Sequence, residues 1–145
     1  MFERYTESAR RTLFFSRFEA SRLGSRTIDP VHFLLGLIRD DKGVSRTLLL
    51  EATGSLDDLV KEIEGHVITG PHIELSVEIP FGASSKRILN FTVEEADALD
   101  DPAIRPEHLL LGLLREDDPL AGAILFGRGL RLSRVREQVR SAPRT

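Results

Sequence analysis

Val31-His32-Phe33-Leu34-Leu35-Gly36-Leu37-Ile38-Arg39 and Glu107-His108-Leu109-Leu110-Leu111-Gly112-Leu113-Leu114-Arg115 decide the fold, because one shift of 76 residues superimposes them. The same shift pairs Ser8 with Ser84, Arg11 with Arg87, Leu13 with Leu89 and Phe15 with Phe91. It also pairs Glu19-Ala20 with Glu95-Ala96, Leu23 with Leu99, Ile28 with Ile104 and Pro30 with Pro106. Matches in one ungapped register from residue 8 to residue 41 mark an internal duplication. The register slips by one at Gly54 and Gly129 and recovers with Leu56 opposite Leu132.

Each copy reads as helices. Tyr5, Ala9, Leu13, Ser16, Ala20 and Leu23 fall within about one third of a helical wheel, and Gly24-Ser25 stops that helix. Asp29 is a good N-cap and Pro30 is tolerated in a first turn, so a second helix is expected from there to Arg39. Lys42-Gly43 breaks the pattern, and Val44–Ala52 and Leu56–Glu64 follow, the last capped by Ser55 and stopped at Gly65. The second copy repeats the plan over Ala83–Leu99, Pro106–Arg115, Pro119–Phe126 and Leu132–Arg140. The expected fold is all-α: two pseudo-symmetric four-helix repeats, 1–65 and 81–145, packed into one globular domain with a linker over 66–80. Leu34, Leu35, Leu37, Leu110, Leu111 and Leu113 are its expected core, and Gly36 and Gly112 mark close helix packing.

In the linker Ile73, Leu75, Val77 and Ile79 alternate with Glu74, Ser76 and Glu78, between Gly70-Pro71 and Pro80. Two readings fit that period of two. The segment either lays alternate side chains into the groove between the halves or forms an exposed strand that pairs with a partner or another copy.

The chain has 145 residues, 30% charged and 41% hydrophobic, with a net charge of −3, which suits one folded domain and excludes a disordered chain. The apolar stretches Leu109–Leu114 and Leu120–Gly127 are too short to span a bilayer. Charges in Phe2-Glu3-Arg4-Tyr5-Thr6-Glu7 stand where a secretory signal needs an apolar run, so a cytoplasmic protein is expected. There is no cysteine, no Gly-Lys phosphate loop, no Gly-x-Ser-x-Gly elbow and no His-Glu-x-x-His pair. The expectation is therefore no enzyme, no catalytic residue, no metal and no cofactor. His32 and His108, in matching first turns, read as structural, buried or half-buried imidazoles bonding a neighbouring helix end. Arg128, Arg131, Arg134, Arg136, Arg140 and Arg144 stand against the single acid Glu137, so a nucleic-acid-binding C-terminal helix is the alternative reading. The acidic segments Glu94–Asp101 and Glu116–Asp118 weigh against it.

The duplicated Pro-x-His-(Phe/Leu)-Leu-Leu-Gly-Leu-(Ile/Leu)-Arg, built on Pro30, His32, Gly36, Pro106, His108 and Gly112, together with Phe2-Glu3-Arg4-Tyr5-Thr6, resembles the N-terminal domain of Clp-type AAA+ unfoldases. The likeness is greatest to the ClpC branch and covers Met1 to about Arg140. It implies a non-catalytic module that binds adaptor or substrate proteins for a Clp ATPase ring. The module is either cut from a longer unfoldase or free-standing, acting as decoy, scavenger or adaptor. Phe14 and Phe18, whose copies are Asn90 and Glu94, have two readings: an exposed aromatic pair that anchors a partner or a homodimer, or two rings covered by the linker or the other half. The resemblance also implies phosphoarginine sites built from a helix-start threonine and a glutamate. Carried over, these are Thr6 with position 31, here Val31, and position 82, here Gly82, with Glu107. Each pair keeps one member, so weak or no phosphoarginine binding is expected.

Overall fold

The computed structural model describes residues 2–40 and 42–144; Met1 and Thr145, which bound the expected repeats, and Asp41 lie outside the described residues. Its elements are α1 (Glu7–Arg22), α2 (Pro30–Arg39), α3 (Val44–Thr53), α4 (Leu56–His66), α5 (Ala83–Ala98), α6 (Pro106–Arg115), α7 (Ala121–Gly127) and α8 (Leu132–Ser141). The all-α expectation holds, with small shifts at element ends. Helix α1 starts two residues after Tyr5 because the Thr6 hydroxyl caps it, accepting the Ala9 amide at 3.1 Å. Helix α4 runs through Gly65 to His66. Helix α7 starts after Pro119, where Asp118 accepts the amides of Leu120 and Ala121 at 3.0 and 2.5 Å.

The duplicated helices α2 and α6 are the centre. Residues 30–38 of α2 are all buried, and α6 is buried from Pro106 to Leu113. Leu34, Leu37, Leu110 and Leu111 are completely covered, with Leu35 and Leu113 nearly so. Helices this apolar on every side need neighbours all round. α1 packs along α2, α5 along α6, and α2 and α6 meet each other.

Glycine permits the α1–α2 and α5–α6 contacts. A Cβ on Gly36 would stand 2.4 Å from the Ser16 hydroxyl and 2.7 Å from the Thr12 carbonyl oxygen. On Gly112 it would stand 2.6 Å from the Thr92 hydroxyl and 2.8 Å from the Ile88 carbonyl oxygen. The facing hydroxyls are small and internally satisfied: Ser16 donates to Thr12 at 2.8 Å and Thr92 to Ile88 at 2.7 Å, each one turn back.

The halves also exchange their leading segments. Tyr5 pairs in parallel with Ile104, and Phe81 with Ile28, as two isolated bridges. Thr6 N–H donates to the Ile104 carbonyl at 3.0 Å and Ile104 N–H to that of Arg4 at 2.9 Å. The copy of this pattern has Gly82 N–H on Ile28 at 3.0 Å and Ile28 N–H on Pro80 at 2.8 Å. The residue before each first helix thus crosses to the loop before the other half's second helix. Tyr5 owes its burial to that crossing, although its position on the wheel suggested a place within the helix.

The linker is no strand. It runs back along α1: Gly70 N–H donates to the Leu23 carbonyl at 2.9 Å, Ile73 N–H to Ser21 at 3.0 Å, and Arg17 to the Val77 carbonyl at 2.8 Å. Gly24, at φ +73°, lets it pass, since a Cβ there would stand 2.5 Å from the Gly70 carbonyl carbon. Of the four alternating residues only Ile73 and Ile79 turn inward; a turn at Leu75-Ser76 leaves Leu75 and Val77 exposed.

Crowding makes a directional prediction. Gly36→Ala and Gly112→Ala each force a side chain against a backbone carbonyl, an overpacking cost of about 1–3 kcal/mol. That exceeds the roughly 1 kcal/mol that alanine gains over glycine in a helix. Gly65→Ala, in α4 with open space around it, keeps the gain. Urea unfolding should show lower midpoints for the first two variants and a higher one for the third; equal rises in all three would refute close packing.

Candidate functional site

Each half fixes its helix pair with a buried carboxylate. Glu19, 3% exposed, receives Arg39 Nε at 2.5 Å and Arg22 at 2.7 Å. Glu95, 4% exposed, receives Arg115 at 3.1 Å and a two-pronged Arg136 at 2.8 Å on both oxygens. Hydrogen bonds from Arg136 hold the Glu95 carboxyl below the ordinary carboxylate range. A second pair recurs beside the first: Arg11 with Asp40 at 3.3 Å, and Arg87 with Glu116 at 2.9 Å. These clamps are structural, and they fix the surfaces on which the two halves differ.

The largest difference is at Phe14. Its ring is 52% exposed at the edge of a groove of about 680 Å³ whose apolar walls include Phe2, Leu13, Ile28, Ile79 and Phe81. The groove exists because the leaders cross: Phe81 rests on Phe2 at 6.3 Å and on Phe33 at 5.9 Å, while Phe2 meets Tyr5 edge-on at 5.0 Å. Phe18 is not part of it. Arg39 covers that ring with its guanidinium carbon 4.6 Å from the centroid. At the copy of that position Glu94 pairs with Arg115 at 3.1 Å, so the same arginine serves either a ring or a carboxylate. The expected aromatic pair is therefore one exposed ring and one stacked ring. Sequence reasoning missed Phe2, Ile79 and Phe81 as groove walls; only the crossing of the leaders gathers them.

The Thr6 and Glu107 positions also group differently from the expectation. Thr6 is bonded to Ile104, three residues before Glu107, whereas Gly82 is bonded to Ile28, three residues before Val31. One junction thus holds Thr6 and Glu107, and the other holds Gly82 and Val31. The pairing implied by the family resemblance divides these positions the other way. Glu107 is only 3% exposed, and Asp29 Oδ1 stands 2.7 Å from where a Gly82 Cβ would lie.

The two histidines are buried as expected, but they close their own helices and not a neighbouring helix end. His32 Nδ1 accepts the Asp29 amide at 2.8 Å and His108 Nδ1 the Arg105 amide at 2.9 Å, the imidazole closing the first turn above Pro30 and Pro106. Both rings are buried, and burial lowers their pKa, that of His108 to about 4. Among the described residues no group of three or more His, Cys, Asp or Glu side chains is placed to hold a metal, and no helix is long and apolar enough to cross a membrane. The C-terminal arginines are largely engaged. Arg128 meets Glu62 at 2.6 Å, Arg136 meets Glu95, Arg140 meets Glu137 at 2.5 Å, and Arg131 covers Phe126 with 3.5 Å to its centroid.

The duplicated all-helical fold has counterparts among known proteins. The family model described as the Clp repeat (R) N-terminal domain matches residues 4–127. The chain belongs to this family. It is 40% identical over 139 residues to the chloroplastic chaperone protein ClpC2 of Arabidopsis thaliana, covering 96% of this chain and 14% of that one. It is 34% identical over 139 residues to the negative regulator of genetic competence ClpC/MecB of Bacillus subtilis, covering 96% of this chain and 17% of that one. The chain thus spans about a sixth of the length of these curated relatives. The solved N-terminal domain of the Arabidopsis thaliana chaperone ClpD is 30% identical, with a TM-score of 0.71 over 95% of this chain and 93% of that one. The homology supports a protein-interaction module of the Clp system.

Acid should act through the histidines. A buried neutral imidazole with a depressed pKa leaves the unfolded chain binding more protons between pH 6.5 and 4, so stability is complete above about pH 6.5 and declines as pH falls. In His108→Gln the amide oxygen can still accept the Arg105 N–H, but it does not titrate. Denaturation across that range should show a shallower decline in the variant than in the parent; an unchanged slope would mean that His108 is not the buried neutral group.

Proposed function

We propose that this chain is a non-catalytic recognition module that binds substrate or adaptor proteins of a Clp ATPase ring, and that it takes hold of them at the Phe14 groove. The observation that carries the reading is the divergence of the two copies. The position equivalent to Phe14 is Asn90, so the two copies share a scaffold but differ here, where Phe14 puts an exposed ring at the edge of the apolar recess formed at the crossing. Leu75 and Val77 of the linker, also exposed, extend the apolar surface beside Arg17. Clustered exposed hydrophobics cost solubility unless a partner covers them. The proposed occupant is an unfolded or extended segment inserting an apolar side chain among Phe2, Phe14 and Phe81.

As part of a ring subunit, the module raises the local concentration of a client at the pore. As a free chain, it competes for the same clients or adaptors as decoy or scavenger. The proposed compartment is the cytosol. The arginines of the C-terminal helix are mostly paired with carboxylates, which disfavours the nucleic-acid alternative. Phosphoarginine, where it binds at all, is assigned to the Thr6–Glu107 junction, and a 97%-covered carboxylate makes that binding weak.

Two measurements test this reading. Binding of a fluorescently labelled, chemically unfolded protein should weaken about tenfold or more in Phe14→Glu, with helical content unchanged, as expected when a central apolar anchor worth ~2 kcal/mol is lost. Undiminished binding would move the site elsewhere. Calorimetric titration with free phosphoarginine should give weak heat, at most one equivalent, and none in Glu107→Gln. Tight binding at two sites would refute the assignment.

A further inference from the structure

The ionic clasp that closes one flank of the molecule is missing on the other. α7 packs on α4, and there Arg128 Nε lies 2.6 Å from a Glu62 oxygen while its guanidinium also donates to the Asp58 carbonyl at 3.4 Å. Under the duplication, α3 and α8 are the equivalents of α7 and α4. The residues matching Arg128 and Glu62 are Thr53 and Gln138, which form no ion pair. Helices α3 and α8 both rest on α6 yet scarcely touch each other. Between them lie two adjoining cavities, of about 330 and about 650 Å³, that share Leu48, Glu51 and Gln138.

The chemistry of this cleft is lopsided. Its floor is apolar, from Val44 and Leu48 on α3 and Leu130 and Val135 at α8. Its edges carry Arg128, Arg131, Arg134 and Arg144, with Glu51 the single carboxylate among the described lining residues. Arg134 is exposed and has no ion pair or hydrogen bond among the described residues. Arg128 is paired with Glu62 and Arg144 with Asp101 at 3.5 Å, so Arg131 and Arg134 are the cleft's cations without a carboxylate partner among the described residues. Two helices seated side by side on a third leave a trough that suits another helix. Nucleic acid would gain little from the apolar floor.

We propose that the α3–α8 cleft is a second docking site, independent of the Phe14 groove, for an acidic amphipathic helix of a partner protein. Its apolar edge lies over Val44 and Leu48, and its carboxylates meet Arg131 and Arg134. Helix α3 is ten residues long, so a docked helix has three turns to contact along it.

The test uses a labelled helical peptide of about 15 residues built from Leu, Ala and Glu. A counterpart with Lys for Glu and a single-stranded DNA of similar length serve as comparisons. Fluorescence anisotropy should show the Glu peptide binding, weakening as salt rises. Its affinity should fall about tenfold in Arg134→Glu, as for a charge contact at an interface edge, while the same variant gains affinity for the Lys peptide. Phe14→Glu should leave the Glu peptide's binding unchanged. Absence of binding, equal binding of both peptides by the parent protein, stronger binding of the DNA, indifference to Arg134→Glu, or loss in Phe14→Glu would each overturn the proposal.

Discussion

The crossing of the two leading segments is the constraint on which the rest depends. Four backbone hydrogen bonds, two in each junction, tie the residue before each first helix to the loop before the other half's second helix. A duplicated chain could form two separate bundles, each burying its own apolar face. Here neither half completes its core alone, because Tyr5 is buried beside Ile104 and Phe81 packs on Phe33. The Ser85 hydroxyl adds a bond of 2.7 Å to the Ile28 carbonyl, so α5 is anchored in the same junction. We infer that the halves fold as one cooperative unit.

On that shared frame the copies have diverged where the frame does not constrain them. The buried carboxylates Glu19 and Glu95, the glycines Gly36 and Gly112, and the imidazoles His32 and His108 occupy matched places, and each carboxylate keeps the matched arginine Arg39 or Arg115 while its second arginine, Arg22 or Arg136, differs. Replacing any of them strands a buried charge, crowds a helix pair or opens a first turn. The solvent-facing positions carry no such penalty. Phe14 against Asn90, Phe18 against Glu94, and the Arg128–Glu62 pair against Thr53 and Gln138 are all differences of this kind. A symmetric scaffold has thereby acquired an asymmetric surface, and asymmetry is what a recognition module needs.

Much of this was legible in the sequence, for physical reasons. Periodic apolar runs bounded by Ser55, Gly24 and Pro30 placed the helices to within a few residues, since caps and breakers act locally. The interior glycines pointed correctly to close packing. What stayed hidden was whatever the crossing brings together. Tyr5 fits the α1 wheel, and nothing local says that it leaves the helix to bond Ile104. The family resemblance places Thr6 and Glu107 in different sites, whereas Thr6 bonds the Ile104 carbonyl, three residues before Glu107. The alternation of Ile73 to Ile79 suggested a strand or a groove-filling segment, but Arg17 draws the Val77 carbonyl toward α1 and a turn at Leu75-Ser76 breaks the alternation. Phe18 looked exposed by its spacing, and Arg39, twenty-one positions away in sequence, covers it.

The most direct measurement of the inferred cooperativity is native-state hydrogen exchange at the Thr6, Ile28, Gly82 and Ile104 amides, whose bonds make the two junctions. A single cooperative unit predicts that all four exchange with the same opening free energy, equal to that of global unfolding and equal to that of the Leu34 and Leu110 amides. Opening of either junction at a free energy clearly below that of the α2 and α6 amides would contradict it, and would mean that the two halves hold together without the crossing.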